Sequence, residues 1–363
     1  MDVKRIVAGM AAALLAVILF FPCRANAISA EKAILLDAQT GRVLYEKNAD
    51  QRALIASTTK IMTALVICEQ CNVLDRMRIP KEAVGIEGSS MYLKEGEVLT
   101  IQELLYGLML HSGNDAAVAL AIYCGGTVEG FAQLMNDKAH RLGLTGTHFE
   151  NPNGLDSPGH YSTARDMAVL SSYAMKNPIF AQTVSTKTVT VGNRILRNHN
   201  KLLWRVEGAD GIKTGFTKAA GRILVSSATR AQRRLIAVTM NDPDDWVDHS
   251  ALLEGGFSRY EVRRIAEEGD LLGCVEIAGG ESGYAELIAA EDFSYSLADG
   301  EEIQIVLQGP GFVYAPVAKG QQAGYAHVCI GDKAVGKIPL VYGQTVELAA
   351  EPKKSFFQKL FGE

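Results

Sequence analysis

Three short clusters in a fixed order constrain this chain more than anything else in it: Ser57-Thr58-Thr59-Lys60, then Ser112-Gly113-Asn114, then Lys213-Thr214-Gly215. Serine is a weak nucleophile until a base takes its proton. A lysine three positions further along a helix lies one turn away on the same face, within reach of the hydroxyl. Ser-x-x-Lys alone turns up by chance roughly once in a chain this long, and it recurs here as Ser29-Ala30-Glu31-Lys32. Lys-Thr-Gly and this Ser-x-Asn each occur once. Together, in order and each in a suitable local setting, the three clusters read as a serine acyl-transfer site.

The N-terminus carries an export signal over 1–27. Lys4 and Arg5 precede an apolar run from Ile6 to Phe21, and Ala25-Asn26-Ala27 supplies small residues for cleavage before Ile28. The apolar run is shorter than the roughly 20 residues that span a bilayer, which favours a removable signal over a permanent anchor. The formal net charge of −5 becomes more negative once Lys4, Arg5 and Arg24 leave, which argues against nucleic acid as a partner. Cys23 leaves with the signal, so an odd set remains: Cys68, Cys71, Cys124, Cys274 and Cys329. Cys68-Glu69-Gln70-Cys71 continues a helical pattern and has no second pair at zinc spacing, so it reads as a partly buried helix end.

The texture changes near residue 262, giving domains at 28–262 and 263–350 and a short tail at 351–363. In the first domain, strands Ala33 to Asp37 and Arg42 to Glu46 form a hairpin, and a helix runs from about Thr58 to Cys68. Thr100 and Glu103 form a capping box for a helix ending near Leu110. Ser112-Gly113-Asn114 falls in the break, with Asp115 as a cap for the next helix. Helices also cover Thr127 to Leu142 and Thr163 to Lys176. Strands at Ile212 to Phe216, Arg222 to Arg230 and Arg233 to Met240 precede a helix between Asp244 and Tyr260. Helices bracketing strands from both ends imply an α/β catalytic domain. After Ala266 the runs Cys274 to Ile277, Tyr284 to Ala289, Ile303 to Leu307, Tyr325 to Ile330 and Lys337 to Tyr342 are short and β-rich, and fit a small β-sandwich.

Placement at a helix start gives Ser57 both a base and a setting that favours negative charge, so its own N–H can help hold an oxyanion. To act as base Lys60 must be neutral, against a free-lysine pKa near 10.4; burial and a second cation, Lys213, both push it that way. Ser112 can relay a proton toward the leaving amine, and Asn114 can orient Lys60 and donate to a substrate carbonyl. On a strand, Lys213 and Gly215 share one side. The Lys213 cation and Thr214 hydroxyl suit a free carboxylate, Gly215 permits close approach, and the Phe216 N–H is a candidate second oxyanion donor.

These clusters and their surroundings resemble the low-molecular-mass penicillin-binding proteins, specifically serine-type D-alanyl-D-alanine carboxypeptidases of the type-5 group. The resemblance extends through Asn151-Pro152-Asn153-Gly154-Leu155-Asp156, His160-Tyr161-Ser162-Thr163-Ala164-Arg165-Asp166 and Asp210-Gly211-Ile212-Lys213-Thr214-Gly215-Phe216. It implies a β-lactamase/transpeptidase-like α/β (α+β) domain, an antiparallel sheet between helices, followed by a small all-β domain. It also implies Ser57 as nucleophile, Lys60 as base, Ser112 and Asn114 as second element, and Lys213 with Thr214 as carboxylate clamp. The substrates would be peptidoglycan stem peptides ending in D-Ala-D-Ala, with β-lactams as covalent inhibitors and no metal or cofactor. Some relatives carry His after Lys-Thr-Gly and Arg between two asparagines upstream. Here Phe216 and Asn198-His199-Asn200 stand in those places, which bears on substrate preference and acyl-enzyme lifetime.

A class A β-lactamase would need a Glu-x-x-x-Asn loop to activate water, and none lies between Phe149 and Asp166. A non-catalytic wall-binding protein would be expected to have lost a catalytic residue, and none is missing. Endopeptidase action on cross-links would use the same residues. In the tail, Phe356, Phe357, Leu360 and Phe361 share a helical face beside Lys353, Lys354 and Lys359, which suggests peripheral docking on the outer face of a membrane.

Overall fold

The computed structural model describes residues 28–350; the segment expected to be an export signal at 1–27 and the tail at 351–363 lie outside the described residues. The first part is built on a five-stranded antiparallel sheet. Its strands are β1 (Lys32–Asp37), β2 (Val43–Lys47), β3 (Ala209–Thr217), β4 (Gly221–Arg230) and β5 (Arg233–Met240), in the spatial order β2-β1-β5-β4-β3. Both chain ends of this domain therefore meet in one sheet, with β1 pairing to β5 from Lys32↔Met240 to Asp37↔Leu235.

Successive side chains on a strand point to opposite faces, and here both faces are covered. Ile34, Leu36, Ile223, Val225, Ile236 and Val238 enter the larger core, which is filled from the helical side. Leu35, Leu224, Leu235 and Ala237 face the other way, against Leu252 and Leu253 of the last helix. Coverage on both sides is why these strands read as continuous apolar runs instead of alternating ones.

The helices are α1 (Lys60–Gln70), α2 (Ile101–Leu110), α3 (Asn114–Gly125), α4 (Val128–Arg141), α5 (Ala164–Ala174), α6 (Pro178–Ser185) and α7 (Asp245–Arg259). The Thr100–Glu103 capping box forms as expected, and Thr127 and Thr163 cap α4 and α5 through their hydroxyls. Helix α6, with Asn177 as cap and Pro178 at its first position, has the right start signals but only eight residues, too few for periodicity to show. The hairpin Thr188–Val191 with Arg194–Arg197 was also not foreseen.

Two expectations change in detail. Ser57 sits in a 3-10 turn, Ala56–Thr59, that leads into α1, so the α-helix proper starts at Lys60. Asp115 does not cap α3, because Gly113 holds that position. Its buried carboxylate instead accepts from the Met91 and Leu93 N–H groups at 3.1 and 3.0 Å and from Ser90 Oγ at 2.6 Å, pinning the 89–93 loop over the site.

After α7 the chain is all β. Strands β6 (Tyr260–Ala266) and β9 (Phe293–Ala298) form a two-stranded ribbon. The others, β7 (Leu271–Ala278), β8 (Tyr284–Ala289), β10 (Ile303–Gln308), β11 (Phe312–Tyr314), β12 (Gln322–Ile330) and β13 (Lys333–Tyr342), form a six-stranded sheet ordered β10-β12-β13-β8-β7-β11. Ala266 and Phe293 of the ribbon pack against its core residues Val275, Leu287, Val328 and Leu340. The two layers are thus unequal, and the sequence reading includes neither ribbon strand, β6 or β9, nor β11.

Candidate active site

The edge strand β3 runs past the 3-10 turn that carries Ser57. Burial alternates along it: Lys213 and Gly215 are buried, Thr214 is half-buried and Phe216 is exposed. A Cβ on Gly215 would stand 3.3 Å from Ser57 N and from Ile55 O and 3.2 Å from Thr58 Cγ2. Glycine at 215 therefore lets the nucleophile's turn close onto the strand, a structural demand beyond the substrate approach inferred from sequence.

Lys60 is fully buried, and its Nζ donates to Ser57 Oγ at 3.0 Å, Asn114 Oδ1 at 2.7 Å and the Asn153 carbonyl at 2.6 Å. Burial, reinforced by Lys213, holds this amine well below the ordinary lysine range, and the weaker opposing pull of Asp115 does not restore it. Lys213 is 1% exposed and donates to Ser112 Oγ at 3.0 Å and to the Thr214 carbonyl at 2.8 Å. Burial alone pushes it down to about 7. The three clusters thus form two amine–hydroxyl pairs, Lys60 with Ser57 and Lys213 with Ser112. A neutral amine next to a hydroxyl can accept its proton, which is the chemistry a serine nucleophile requires.

The supports are mostly backbone. Ser112, in the break between α2 and α3, has φ 61, a left-handed conformation uncommon for a residue with a side chain. Asn114 donates its amide to the Glu87 carbonyl at 2.6 Å, while its own N–H reaches Ser89 O at 2.7 Å. Gly154 has φ +87, and a Cβ there would fall 1.9 Å from the Ala56 carbonyl, so only glycine allows the 151–154 loop to present Asn153 to Lys60. That loop is tied down by Thr63, which donates to Pro152 O at 2.6 Å, while His160 meets Thr59 of the nucleophile's turn at 2.7 Å. His160 Nδ1 accepts from Glu150 N, so its proton is on Nε2 and faces Thr59. Carbonyl groups such as those of Asn153 and Glu87 have no side-chain signature, and sequence reasoning did not assign them.

Ser57 and Ser112 open onto a cleft of about 510 Å³, also lined by Ser89, Thr214, Gly215 and Phe216. His199 also lines the cleft, and the asparagines on either side anchor its backbone: Asn198 donates to Val184 O and Thr186 O, and Asn200 to Gly211 O at 2.7 Å. A second Ser–His contact, Ser226 with His249 at 2.5 Å, is fully buried between β4 and α7, where no substrate reaches it. Cys71 lies beside Cys124 instead of cooperating with Cys68, and burial pushes the Cys68 thiol up to about 12, far from a reactive thiolate. Among the described residues no group of three or more His, Cys, Asp or Glu side chains is arranged to hold a metal ion.

Comparison with known proteins agrees with this geometry. Residues 21–244 match a family model described as D-alanyl-D-alanine carboxypeptidase, and residues 260–348 match one described as the C-terminal domain of penicillin-binding protein 5. The chain is 34% identical to the D-alanyl-D-alanine carboxypeptidase DacF of Bacillus subtilis over 315 residues, covering 81% of this chain and 80% of the relative. It is also 34% identical to DacA of Escherichia coli K12 over 353 residues, covering 92% and 86%. Penicillin-binding protein 5 of Haemophilus influenzae superposes with a TM-score of 0.79 at 31% identity, covering 88% of this chain and 98% of that one. Penicillin-binding protein 6B of Escherichia coli does so with a TM-score of 0.71 at 32% identity, covering 89% and 98%. With its serine–lysine pairs, its edge strand and its all-β second domain, this chain belongs to the serine-type D-alanyl-D-alanine carboxypeptidases, the penicillin-binding enzymes that act on peptidoglycan.

Proposed function

We propose that Ser57 is the nucleophile that removes the terminal D-alanine from peptidoglycan pentapeptide stems, with Lys60 as its general base. The observation that carries this is the buried Lys60 amine, 3.0 Å from Ser57 Oγ and held below the ordinary lysine range. The stem lies extended along the edge of β3 that, among the described residues, has no partner strand. Ser57 Oγ attacks the carbonyl carbon between the two D-alanines while Lys60 takes its proton. The N–H groups of Ser57 and Phe216 hold the oxyanion. Ser112, aligned by Lys213, passes a proton to the departing amine, D-alanine leaves, and water then releases the shortened stem from Ser57. Asn114 orients Lys60 and retains one amide hydrogen for a substrate carbonyl. The same attack on a β-lactam ring gives a covalent penicilloyl adduct. Release of D-alanine from a soluble pentapeptide, with purified cross-linked dimers as the competing substrate, tests the reading; cleavage of dimers alone would make the protein an endopeptidase.

The same reading places the enzyme outside the cytoplasmic membrane after cleavage of 1–27, with the catalytic domain over 28–262 and the small β domain over 263–350. Tail residues 353–363 then dock on the membrane, Phe356, Phe357, Leu360 and Phe361 supplying apolar contact and Lys353, Lys354 and Lys359 meeting anionic headgroups. Among the described residues no single helix is long and apolar enough to cross a membrane. Deleting 353–363 should abolish co-sedimentation with anionic vesicles and leave hydrolysis of a soluble pentapeptide almost unchanged; equal sedimentation of both forms refutes the docking role.

A further inference from the structure

A substrate ending in a carboxylate is best met by a cation exposed to the cleft, and both lysines of the three clusters are buried, with their amines turned to neighbouring hydroxyls and carbonyls. Lys60 spends its donors on Ser57, Asn114 and Asn153. Lys213 is turned inward onto Ser112 and the Thr214 carbonyl. His199, which occupies the place where some relatives carry arginine, packs its ring 5.2 Å from that of His111. Burial of that ring, with Lys213 and His111 adding to it, holds it down to about 4, so it is neutral at pH 7.

Two cations do line the cleft, Arg222 and Lys201. Arg222 is opposite Phe216 in the β3–β4 pairing, and Thr214 is opposite Leu224. Thr214 and Arg222 therefore project from the same sheet face as diagonal neighbours, a separation of about 7–8 Å between Cα atoms that a carboxylate can bridge. Arg222 is also fixed. Its Nε and Nη2 donate to the two oxygens of Asp245 at 3.1 and 2.6 Å. Asp245 is almost fully covered, with its side chain 5% exposed, whereas that of Arg222 is 44% exposed. The indole of Trp246 lies 6.0 Å from the guanidinium. This leaves the Nη1 side of the fork without a partner among the described residues and free to meet an incoming anion. Lys201 has no such brace, being exposed with its amine 5.8 Å from the Trp246 ring.

We propose that Arg222, aimed by Asp245, receives the terminal carboxylate of the substrate together with the Thr214 hydroxyl, while Lys213 serves the Ser112 proton path. This assignment rests on the reading of the cleft as a D,D-carboxypeptidase site. Arg222 is a specificity residue and Asp245 a positioning residue that acts through it. A lysine at 222 would keep the charge but lose the fork that Asp245 holds.

The test compares a soluble peptide ending in D-Ala-D-Ala with the same peptide ending in an amide. Arg222→Ala should lower kcat/KM for the free-carboxylate peptide about 10- to 100-fold and leave the amide within about twofold, the loss of one charged hydrogen bond. Arg222→Lys should fall between, Asp245→Asn should narrow the carboxylate-to-amide ratio without abolishing it, and added methylguanidinium should restore part of the Arg222→Ala loss. Equal losses on both peptides, or a carboxylate-selective loss in Lys201→Ala with none in Arg222→Ala, would overturn the assignment. Should Arg222→Ala not fold, the ratio in Arg222→Lys and Asp245→Asn decides, and an unchanged ratio in both refutes it. Penicillin labelling separates the two levels: an adduct at Ser57 with an unaltered ratio refutes Arg222 alone, whereas no adduct at Ser57 in the wild-type protein refutes the site reading and Arg222 with it.

Discussion

The cleft and the junction between the two domains both bury charge, and they resolve it in opposite ways. At the junction Asp37, with no exposed surface, accepts from Arg233 Nε and Ser296 Oγ at 2.7 Å each, and its other oxygen accepts the N–H groups of Gln39 and Thr40. Burial pushes this carboxyl up, but the hydrogen bonds from Ser296 and Arg233 outweigh it, and it stays below its ordinary value. Every lone pair is answered, so the ion pair joins β1 and β5 to the ribbon strand β9 as fixed structure. In the cleft Lys60 and Lys213 are buried near each other with hydroxyls and carbonyls for partners and, among the described residues, no carboxylate in ion-pair contact, so both are driven toward the neutral form. A buried charge with its counterion holds domains together; two buried cations without one become bases.

The sharpest way to break this comparison is to remove the base. Lys60→Met should keep the fold and lower the rate of penicillin acylation by about 10²–10⁴-fold, the range for loss of a general base. Intact-protein mass and peptide mapping should place the single wild-type adduct on Ser57. An adduct on Ser29 or Ser112, or near-normal labelling of Lys60→Met, would make the geometry around Ser57 incidental.

The next largest effects are on stability, and they should have opposite signs. Arg233→Met leaves Asp37 buried without its partner and should cost about 3–5 kcal/mol in denaturant unfolding, with acylation of the folded protein unchanged. Lys213→Met should acylate slowly yet be no less stable than wild type, because an active-site charge is held there against its solvation. Equal destabilisation by both variants would mean that the lysine is as structurally necessary as the ion pair. Linkage gives a further handle. Lys213 is held at about 7 when folded, below the roughly 10.4 of an unfolded lysine. The cost of burying its charged form is therefore full below pH 7 and is relieved as pH rises from 7 toward that unfolded value. Asp37 behaves in the other sense: its stabilisation is present above the unfolded carboxyl value of about 3.9 and is lost as pH falls through the lower folded value.

Activity should rise with pH as Lys60 loses its proton, with the kcat/KM limb well below the ordinary lysine range. Removing Lys213 takes away a cation that disfavours the charged form of Lys60, so in Lys213→Met the limb should move to higher pH. Burial is the larger cause of the Lys60 shift, so the limb should stay below the free-lysine position. A limb unmoved in Lys213→Met would assign the whole effect to burial.

What the sequence disclosed follows the same division. Ser57, Lys60, Ser112, Asn114 and Lys213 announce themselves because side-chain chemistry at fixed spacing is a local signal, and the Thr100–Glu103 box is legible for the same reason. The carbonyls of Asn153 and Glu87 that seat Lys60 and Asn114 were invisible, since any residue type supplies a carbonyl. Asp115 looked like a cap because Asp is common there, but Gly113 took that position and freed its carboxylate to hold a loop distant in sequence. Arg222 needed the register of β3 against β4, and Asp37 with Arg233 and Ser296 needed three separated segments, none of which spacing encodes.

The smallest expected effect sharpens the comparison at the rim of the junction. Arg42 pairs with both oxygens of Glu301 at 2.5 and 2.6 Å and lies between the rings of Tyr260 and Tyr295, 5.0 and 5.3 Å from their centroids. Unlike Asp37, Glu301 remains a quarter exposed, so water and salt screen the pair. Glu301→Gln should therefore cost only about 0.5–1 kcal/mol, and less in high salt. Hydrogen bonding from Arg42 holds the Glu301 carboxyl below its ordinary value. Its contribution is thus present above the unfolded glutamate value of about 4.3 and fades as pH falls through the folded one. Arg42→Ala should cost more than Glu301→Gln, because it also removes the aliphatic stem and guanidinium packed between the two tyrosines. Denaturant unfolding of both single variants and the double variant at low and high salt measures this. A loss in Glu301→Gln as large as that in Arg233→Met would show that exposure does not separate the rim pair from the buried one.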